Sequence, residues 1–393
     1  MLSGGGFPYA GRKAEIRMTK KRIIVTVAFA GTALLLLGLM LLSRRFPEAT
    51  TSVYTLKIFK YVSLPVKAIA ELFPFSLAEA ALYAAVILIL LTLVISVIRC
   101  FKEGRARPLL RQISAVLIAA SLALICYVSL GGFNYSALTF AERENITLKG
   151  STVQELQELC LYLSEKAAEN RNQLHQDENG TVTCDASVFD ICKSAQAGYD
   201  LLRTRYPEFS GFYVTPKPAV ASEVMCYLQI SGIYPYIVPE AIVNYKTPLC
   251  QLPHTVCHEM AHQRGIARED EANYISYLAC ILNPDPLFRY SGYMEALSYS
   301  LNALYAASSA AYRQIRPMIH EGVLRDIGAA SAFWRSFEQK NETVAKVSST
   351  VNNTYLQAQN IPDGERSYGR MVDLLLADRG QWAESLLLSH QSR

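Results

Sequence analysis

The sequence predicts a mainly α-helical membrane protein, with three N-terminal transmembrane helices followed by an α-rich domain that contains a small β element. Hydrophobic residues make up 51% of the 393-residue chain and charged residues only 18%, whereas an average soluble domain carries roughly 25% charged residues. Three long apolar segments precede residue 131. The remainder shows helical periodicity, interrupted by a region in which β-branched and aromatic residues alternate with Pro and Gly.

The three apolar segments, residues 23–42, 77–98 and 113–130, are the predicted transmembrane helices. A span needs about 20 apolar residues to cross the hydrocarbon, and a buried core helix is the alternative for each segment. The first segment is too long for the apolar core of a cleaved signal peptide. The stretch Ser43–Phe46 that follows it is a poor cleavage site. We therefore expect an uncleaved anchor.

Basic residues predict the orientation of these helices, because short cytoplasmic loops are enriched in Lys and Arg. They cluster in the N-terminal segment 1–22 and in the short loop between the second and third spans. The prediction is a cytoplasmic N-terminus and an extracytoplasmic domain over residues 131–393. The pair Arg44–Arg45, directly after the first span, conflicts with this orientation.

The basic residues lie near apolar segments and form no groove-like stripe, and the net charge is only +4. They are therefore interpreted as topology signals, with the lipid bilayer as a partner and no nucleic-acid partner.

Beyond the spans, helical periodicity predicts helices over residues 151–175 and 187–205, short strands and loops between Phe212 and Val243, and mostly helix after Pro253. An extracytoplasmic domain permits disulfides. Two cysteine pairs close enough in sequence to be considered are Cys184–Cys192 and Cys226–Cys250.

The stretch CHEMAHQRGIAREDEAN, residues 257–273, has the spacing of a metal site. Two histidines four residues apart on a helix share a face, so the imidazoles of His258 and His262 can reach one ion. Glu259, next to the first ligand, would reach the water held in the ion's open position and act as a general base. Pro253 and Gly265 suit the start and the end of this helix.

A catalytic zinc ion needs a third protein ligand. If residues 269–282 are helical, Glu269 and Asn273 share a face, and Glu271 points nearly the opposite way. Glu269 is therefore the predicted third ligand, and Asn273 is predicted to hydrogen-bond a ligand from behind. Glu271 and Asp270 remain alternatives. A metzincin-like ligand six residues after His262 would fall on an arginine, which cannot bind the ion.

HExxH followed by Glu-x-x-Ala-Asn resembles the gluzincin metallopeptidases. The resemblance implies that His258, His262 and Glu269 bind zinc, that Glu259 is the catalytic residue, and that Asn273 orients a histidine. Many gluzincins have Asp at the last position and a longer gap between the second histidine and the glutamate.

The longer pattern resembles the uncharacterised bacterial membrane family called domain of unknown function 3810. It consists of three N-terminal spans, then GIYPYIVPEAIVN, the metal motif, YSGYMEAL and SYGRMVDLLL. The resemblance covers nearly the whole chain after residue 20. It implies a zincin-like site in a multi-pass protein of the bacterial plasma membrane, and it assigns no substrate.

Further residues are predicted around this site with less support. Tyr290, Tyr293 and Tyr368 are candidates for stabilising an oxyanion. Glu240 and Asn244 would line the cleft if their segment is the edge strand that holds peptide by strand addition. A capped turn is the alternative for that segment.

The sequence thus predicts a membrane-anchored zinc metallopeptidase that acts on a peptide or protein substrate. Three alternatives stay open: a non-catalytic zinc-binding sensor or scaffold, a zinc amidase acting on cell-wall material, and a peptidase that faces the cytoplasm. A purely structural zinc site needs no base, so Glu259 argues against the scaffold.

Overall fold

The computed structural model describes residues 8–359, 361, 370–380 and 382–391, and it confirms the predicted fold class. The chain is mainly helical, with a few two-residue strands. Its helices are α1 (Pro8–Ser43), α2 (Pro47–Ala49), α3 (Phe59–Glu71), α4 (Leu77–Glu103), α5 (Arg107–Leu130), α6 (Phe140–Arg143), α7 (Val153–Arg171), α8 (Val188–Arg205), α9 (Ser222–Tyr227), α10 (Leu252–Gln263), α11 (Glu269–Ile281), α12 (Pro286–Ala307), α13 (Ser309–Ile315), α14 (Glu321–Lys340), α15 (Glu342–Ala358), α16 (Met371–Ala377) and α17 (Trp382–Gln391).

Three of these helices are long and apolar enough to cross a membrane: Lys20–Ser43 within α1, then α4 and α5. Helices α1 and α5 run in the same direction. Near their starts, Thr26 and Ser114 share a hydrogen bond of 2.7 Å, and Arg22 donates to the Ser114 hydroxyl at 3.2 Å. Near their ends, Ser136, just after α5, donates to the Met40 carbonyl at 3.4 Å. The basic loop between α4 and α5 therefore lies at the same end as the start of α1.

The segment between α1 and α4 is folded rather than an open loop. It contains α2, a π-helical stretch at Thr50–Ile58, and α3. Three of its basic side chains, Arg44, Lys60 and Lys67, donate to backbone carbonyls of the globular region. The acceptors are Ala358 O for Arg44 (2.6 Å), Glu208 O and Ser210 O for Lys60 (2.6 and 2.9 Å), and Gln263 O for Lys67 (3.1 Å). Arg44, which conflicts with the predicted orientation by sequence, thus has a contact of its own.

The globular region packs around α7, α8, α10, α11 and α12. Capping boxes begin α7 and α8, with Thr152 paired to Glu155 and Ser187 paired to Asp190, so both helices start close to the predicted positions. The core between these helices is apolar and includes fully buried Leu163. It fixes the position of α10 and α11, which carry the metal motif.

Two small sheets complete the fold. Strands β1 (His175–Gln176) and β2 (Val182–Thr183) form an antiparallel hairpin. The second sheet has the order β3-β5-β4, from β3 (Lys217–Pro218), β4 (Gly232–Ile233) and β5 (Ile242–Val243). Strand β5 is central, parallel to β3 and antiparallel to β4. The edge strand beside the metal helix is therefore β4.

A closed polar network ties α7, α12 and α14 to the β1–β2 hairpin. The Arg171 guanidinium donates to Asp326 at 2.8 Å and to the Gly180 carbonyl at 2.6 Å. Asp326 also accepts from the Val182 amide at 3.1 Å and from the Tyr290 hydroxyl. Arg171 and Asp326 are almost completely buried, so each charge is balanced by a direct partner.

All nine cysteines are free thiols, and the two pairs considered from the sequence are not formed. Cys192 and Cys250 are buried in the apolar core, whereas Cys184 is only partly buried and directly follows β2. Cys226 is buried beside the amide of Asn244. Six of the nine thiols are buried, and these serve as small apolar side chains.

Candidate metal centre

The metal motif forms a helix, a tight turn and a second helix. Helix α10 places His258 and His262 one turn apart on the same face. Gly265 then adopts a positive φ of 91°, a conformation that favours glycine. This turn lets α11 begin at Glu269, directly beside the two histidines.

The side chains of His258, His262 and Glu269 converge on one point. The Nε2 atoms of the two histidines lie 3.1 Å apart, and Glu269 Oε2 is 3.1 Å from His258 Nε2 and 3.7 Å from His262 Nε2. A tetrahedral zinc ion with bonds of about 2.0–2.2 Å separates its ligand atoms by about 3.3–3.6 Å. The three observed distances lie within about 0.2 Å of that range, so the atoms have approximately the spacing of one face of a tetrahedral site.

The far nitrogen of each histidine is held by a hydrogen-bond acceptor. His258 Nδ1 lies 2.8 Å from the Asn273 side-chain oxygen, and His262 Nδ1 lies 2.7 Å from the Ile266 carbonyl. When Nδ1 donates to these oxygens, Nε2 keeps its lone pair for an ion. The short gap between His262 and Glu269 is thus part of the site, because the Gly265 turn brings the Ile266 carbonyl back to His262.

Glu259 is enclosed between α10 and the edge strand β4. It is 4% exposed, and its Oε2 has no hydrogen-bond partner among the residues that the structure describes. A Cβ atom at Gly232 would come within 2.6 Å of Glu259 Oε1. Position 232 therefore requires glycine for β4 to pass this close to the carboxylate.

The electrostatics of the cluster separate the two glutamates. Burial raises the pKa of Glu259 to about 7. Burial also acts to raise the pKa of Glu269, but His262 and His258 outweigh it and hold that pKa well below its usual value. In the chain without an ion, Glu269 is thus a carboxylate facing the histidines, whereas Glu259 can take up and release a proton near neutral pH.

Five tyrosines connect this cluster to the end of α5, and sequence reasoning missed all of them. The Tyr234 ring stacks on His262 with centroids 6.3 Å apart and meets the Tyr236 ring at 4.9 Å. The hydroxyls of Tyr234 and Tyr236 are buried without a partner among the described residues. The other three are Tyr127, Tyr135 and Tyr355, joined through their hydroxyls at 3.1 and 2.9 Å. The only local signal is the alternating Tyr-Pro-Tyr directly after β4.

Comparison with known proteins confirms the resemblance to the family called domain of unknown function 3810. The family described as "Protein of unknown function (DUF3810)" matches residues 54–376. The chain belongs to the DUF3810 family. No curated protein and no solved structure matches it.

The two acids that follow Glu269 in the motif of this DUF3810 protein, Asp270 and Glu271, point away from the histidines. Glu271 Oε1 accepts a hydrogen bond from the Phe140 amide at 2.5 Å. Asp270 lies 3.6 Å from Arg268 and 3.3 Å from Arg370. Helical rotation along α11 is the reason, since successive residues of a helix point about 100° apart. Among the described residues, the structure brings only Glu269 of the three acids to the histidines.

The predicted oxyanion tyrosines of the DUF3810 chain occupy other places. Tyr290 donates to Asp326 in the closed polar network, and Tyr293 packs edge-on against Tyr277 in the core. Tyr368 lies outside the described residues. A tyrosine nearer the site is Tyr299, whose hydroxyl is 3.4 Å from the Asn273 side-chain nitrogen.

Glu240 and Asn244 belong to the central strand region, not to an edge that faces a cleft. Glu240 is fully buried and pairs with Lys217 at 2.9 Å. It also accepts from the Ser76 hydroxyl at 2.8 Å and the Ala78 amide at 2.6 Å, at the start of α4. Asn244 is fully buried and donates to the Ile230 carbonyl at 3.0 Å. Both side chains hold the sheet together and leave β4 as the edge.

Proposed function

We propose that this protein is a membrane-anchored zinc metallopeptidase that hydrolyses peptide bonds. The observation that carries the proposal is the convergence of three ligand atoms, from His258, His262 and Glu269, beside a buried carboxylate with an unpartnered oxygen, Glu259. Structural zinc sites are closed by four protein ligands, whereas catalytic sites have three and keep one position open. A base next to an open position is what hydrolysis needs.

The residues present fit zinc by their chemistry. Two neutral imidazoles and one carboxylate are a common catalytic donor set for zinc, and both imidazoles are oriented by a second hydrogen bond. When bound, zinc supplies Lewis-acid activation of the water and of the substrate carbonyl.

Glu259 is the proposed proton carrier. Its carboxylate accepts a proton from the attacking water, whose oxygen adds to the carbonyl carbon, and it then delivers the proton to the leaving nitrogen as the C–N bond breaks. Burial raises the pKa of Glu259 to about 7 in the chain without an ion. A zinc ion beside it would lower that pKa and favour the carboxylate form, which accepts the proton. The buried hydroxyls of Tyr234 and Tyr236 are candidate donors to the developing oxyanion.

Strand β4 is the proposed peptide-binding edge. It pairs with β5 on one side and passes Glu259 at Gly232. An extended peptide that adds to an exposed edge is held by main-chain hydrogen bonds, which leaves side chains free for specificity.

The proposed topology is a three-span protein of the bacterial plasma membrane with a cytoplasmic N-terminus. It is supported by the two basic clusters at the start of α1 and between α4 and α5, which lie at one end of the helices. Further support comes from Arg44, because its bond to the Ala358 carbonyl accounts for a basic residue on the opposite side.

The catalytic proposal is tested with the full-length protein in detergent, by measuring bound zinc and cleavage of a random peptide library. We expect one zinc per chain and library cleavage, and Glu259→Gln should retain the zinc and lose cleavage by a factor of about 10²–10⁴. Zinc retained without cleavage in the native chain would identify a scaffold. Release of amide-linked cell-wall fragments, with peptides intact, would identify an amidase.

The topology is tested with a membrane-impermeant thiol reagent on intact cells. Asn179→Cys, in an exposed turn of the globular region, should be labelled, and Arg105→Cys, between α4 and α5, should be labelled only after lysis. The reverse pattern would place the globular region in the cytoplasm.

A further inference from the structure

The metal cluster lies next to the end of a candidate span. Helix α5 ends at Leu130, and the Tyr236 ring packs against Gly131 so tightly that a Cβ there would come within 1.7 Å of it. From this ring, two ring-to-ring steps, through Tyr234 at 4.9 Å and then 6.3 Å, reach the ligand His262. The rings of Tyr236 and Tyr234 thus link the end of α5 to the ligand His262 by direct packing.

Helix α3 has the reverse of a soluble surface pattern. Its two lysines turn inward, where Lys60 and Lys67 bond carbonyls of the globular region, and the exposed Glu71 at its end accepts from the Thr215 amide at 2.8 Å. Its outward residues are apolar and largely exposed, with Tyr61 at 74% and Ile69 at 53%. A soluble helix directs charge outward, whereas a helix that lies in a membrane interface directs apolar side chains into lipid.

The position of α3 identifies lipid as what covers this apolar face. The helix belongs to the connection between two candidate spans, so both of its ends are held near the surface of the bilayer. Its inner face reaches the metal helix, since Phe59 lies beside the Gly265 turn and Lys67 bonds the carbonyl of Gln263, the residue after His262. The metal motif is thus within one helix diameter of the lipid.

The peptide-binding edge proposed above continues toward the same surface. Ile233 on β4 and Ile237 beyond it are each 46% exposed, although both are large apolar side chains. Between them, Tyr236 turns inward to Gly131 at the end of α5. An extended chain that pairs with β4 would therefore run beside the bilayer surface.

From these placements we infer that the substrate is the juxtamembrane segment of a membrane-anchored polypeptide, cut close to where that polypeptide leaves the bilayer. This inference rests on the proposed peptidase function. Because an extended chain advances about 3.3 Å per residue, a short distance between bilayer and site allows a scissile bond within about five residues of the end of the substrate's own span.

The test uses the full-length protein in liposomes with a randomised peptide library in two forms. In the first form the library follows a single transmembrane anchor through a 20-residue randomised spacer, and in the second form the same library has no anchor. We expect cuts within about five residues of the anchor, and at least tenfold slower cleavage of the unanchored library at equal concentration. Glu259→Gln is the control for cleavage by a contaminant.

The outcomes separate the two proposals. Equal cleavage of both libraries, or cuts spread evenly along the spacer, would overturn the juxtamembrane substrate and leave the peptidase intact. If the zinc-loaded protein cuts neither library, both the peptidase and its juxtamembrane substrate are refuted. The same holds if the protein hydrolyses only a lipid-linked cell-wall fragment.

The contact of α3 with lipid is tested independently of catalysis. Tyr61→Trp adds an indole to the outer face of α3, and brominated lipids should quench its fluorescence. Phe189→Trp is the control. Phe189 is partly exposed at the start of α8, whereas α3 contacts the chain near the other end of that helix through Lys60, so an indole at position 189 should lie away from the lipid. The parent chain has two native tryptophans, and its quenching is subtracted from that of each variant. If the added indoles at positions 61 and 189 are then quenched equally, the lipid assignment is overturned.

Discussion

Two clusters of ionisable side chains lie inside the globular region, and they differ in whether their polar atoms are satisfied. In the network around Asp326, both carboxylate oxygens accept hydrogen bonds and the Arg171 charge is paired. In the cluster around His258, three ligand atoms face one another and the nearby Glu259 keeps an unpartnered buried oxygen. An unsatisfied buried polar group costs free energy. The closed network therefore serves folding, and the open cluster fits the metal site proposed above.

Breaking the closed network should give the largest effect, and on stability alone. Asp326→Asn leaves the buried Arg171 charge unpaired, so we expect a loss of about 3–5 kcal/mol in the free energy of unfolding. Thermal unfolding in detergent measures it. Glu321→Gln on the same helix, in an exposed pair with Arg325, should cost less than about 1 kcal/mol. If Asp326→Asn and Glu321→Gln lose similar amounts of stability, the buried network does not contribute more to folding than the exposed ion pair.

Breaking the open cluster should change zinc affinity. Glu269→Gln removes a proposed ligand, and we expect a loss of more than about 100-fold, beyond the range for outer-shell partners. Asp270→Asn is the matched control, since this neighbouring acid faces Arg268 and Arg370 instead. Titration against a competing chelator measures both. Loss of zinc from Asp270→Asn rather than Glu269→Gln would refute the assignment.

A smaller effect is expected one contact behind the ligands. Asn273→Ala removes the acceptor on His258 Nδ1, so zinc affinity should fall about 10–100-fold. Tyr299→Phe removes only a longer contact of 3.4 Å to Asn273 and should leave the affinity within about threefold. Chelator competition again decides, and an unchanged affinity in Asn273→Ala would show that His258 is oriented by packing alone.

The smallest effect concerns a partly buried acid outside both clusters. Burial raises the pKa of Glu295 to about 7, although the Gln251 amide donates to it at 2.8 Å. Because the folded chain then binds this proton more tightly than the unfolded chain, its contribution to stability is present below about pH 4.5 and lost as the pH rises to about 7.

The free energy of unfolding of Glu295→Gln, relative to that of the native chain, should therefore rise by about 1–2 kcal/mol from pH 5 to pH 8, after allowance for partial exposure. Thermal unfolding at both pH values measures the gain. The exposed Glu158→Gln is the control and should show no such difference. If the difference in stability between the native chain and Glu295→Gln is the same at both pH values, the raised pKa of Glu295 is contradicted.

Local geometry determines which parts of the site the sequence predicts. Helical phase is a short-range property, so the spacing of residues alone favours Glu269 and Asn273 over Glu271. Gly265 is recognisable as a helix end for the same reason. The role of the tyrosines cannot be found this way, because Tyr127 meets Tyr236, and Tyr234 meets His262, only through long-range packing.

The connection between α1 and α4 shows a second limit of sequence reasoning. In the sequence, Arg44, Lys60 and Lys67 count as topology charges, yet each donates to carbonyls far along the chain. Glu240 is predicted beside a cleft, because nothing in its neighbourhood in sequence reveals that Ser76 and Lys217 surround it. Counting charges does not show which of them are already paired.

The bonds from Ser76 to Glu240 and from Lys67 to the Gln263 carbonyl bear on whether the globular region is autonomous. A chain trimmed to residues 131–393 would lose both donors and leave buried acceptors next to the metal helix without them. Residues before 131 thus contribute to the interior of the globular region and do not serve only as a membrane anchor. Cleavage of the chain after α5 should therefore not yield a folded soluble fragment, because the globular region and the segment before it fold as one unit.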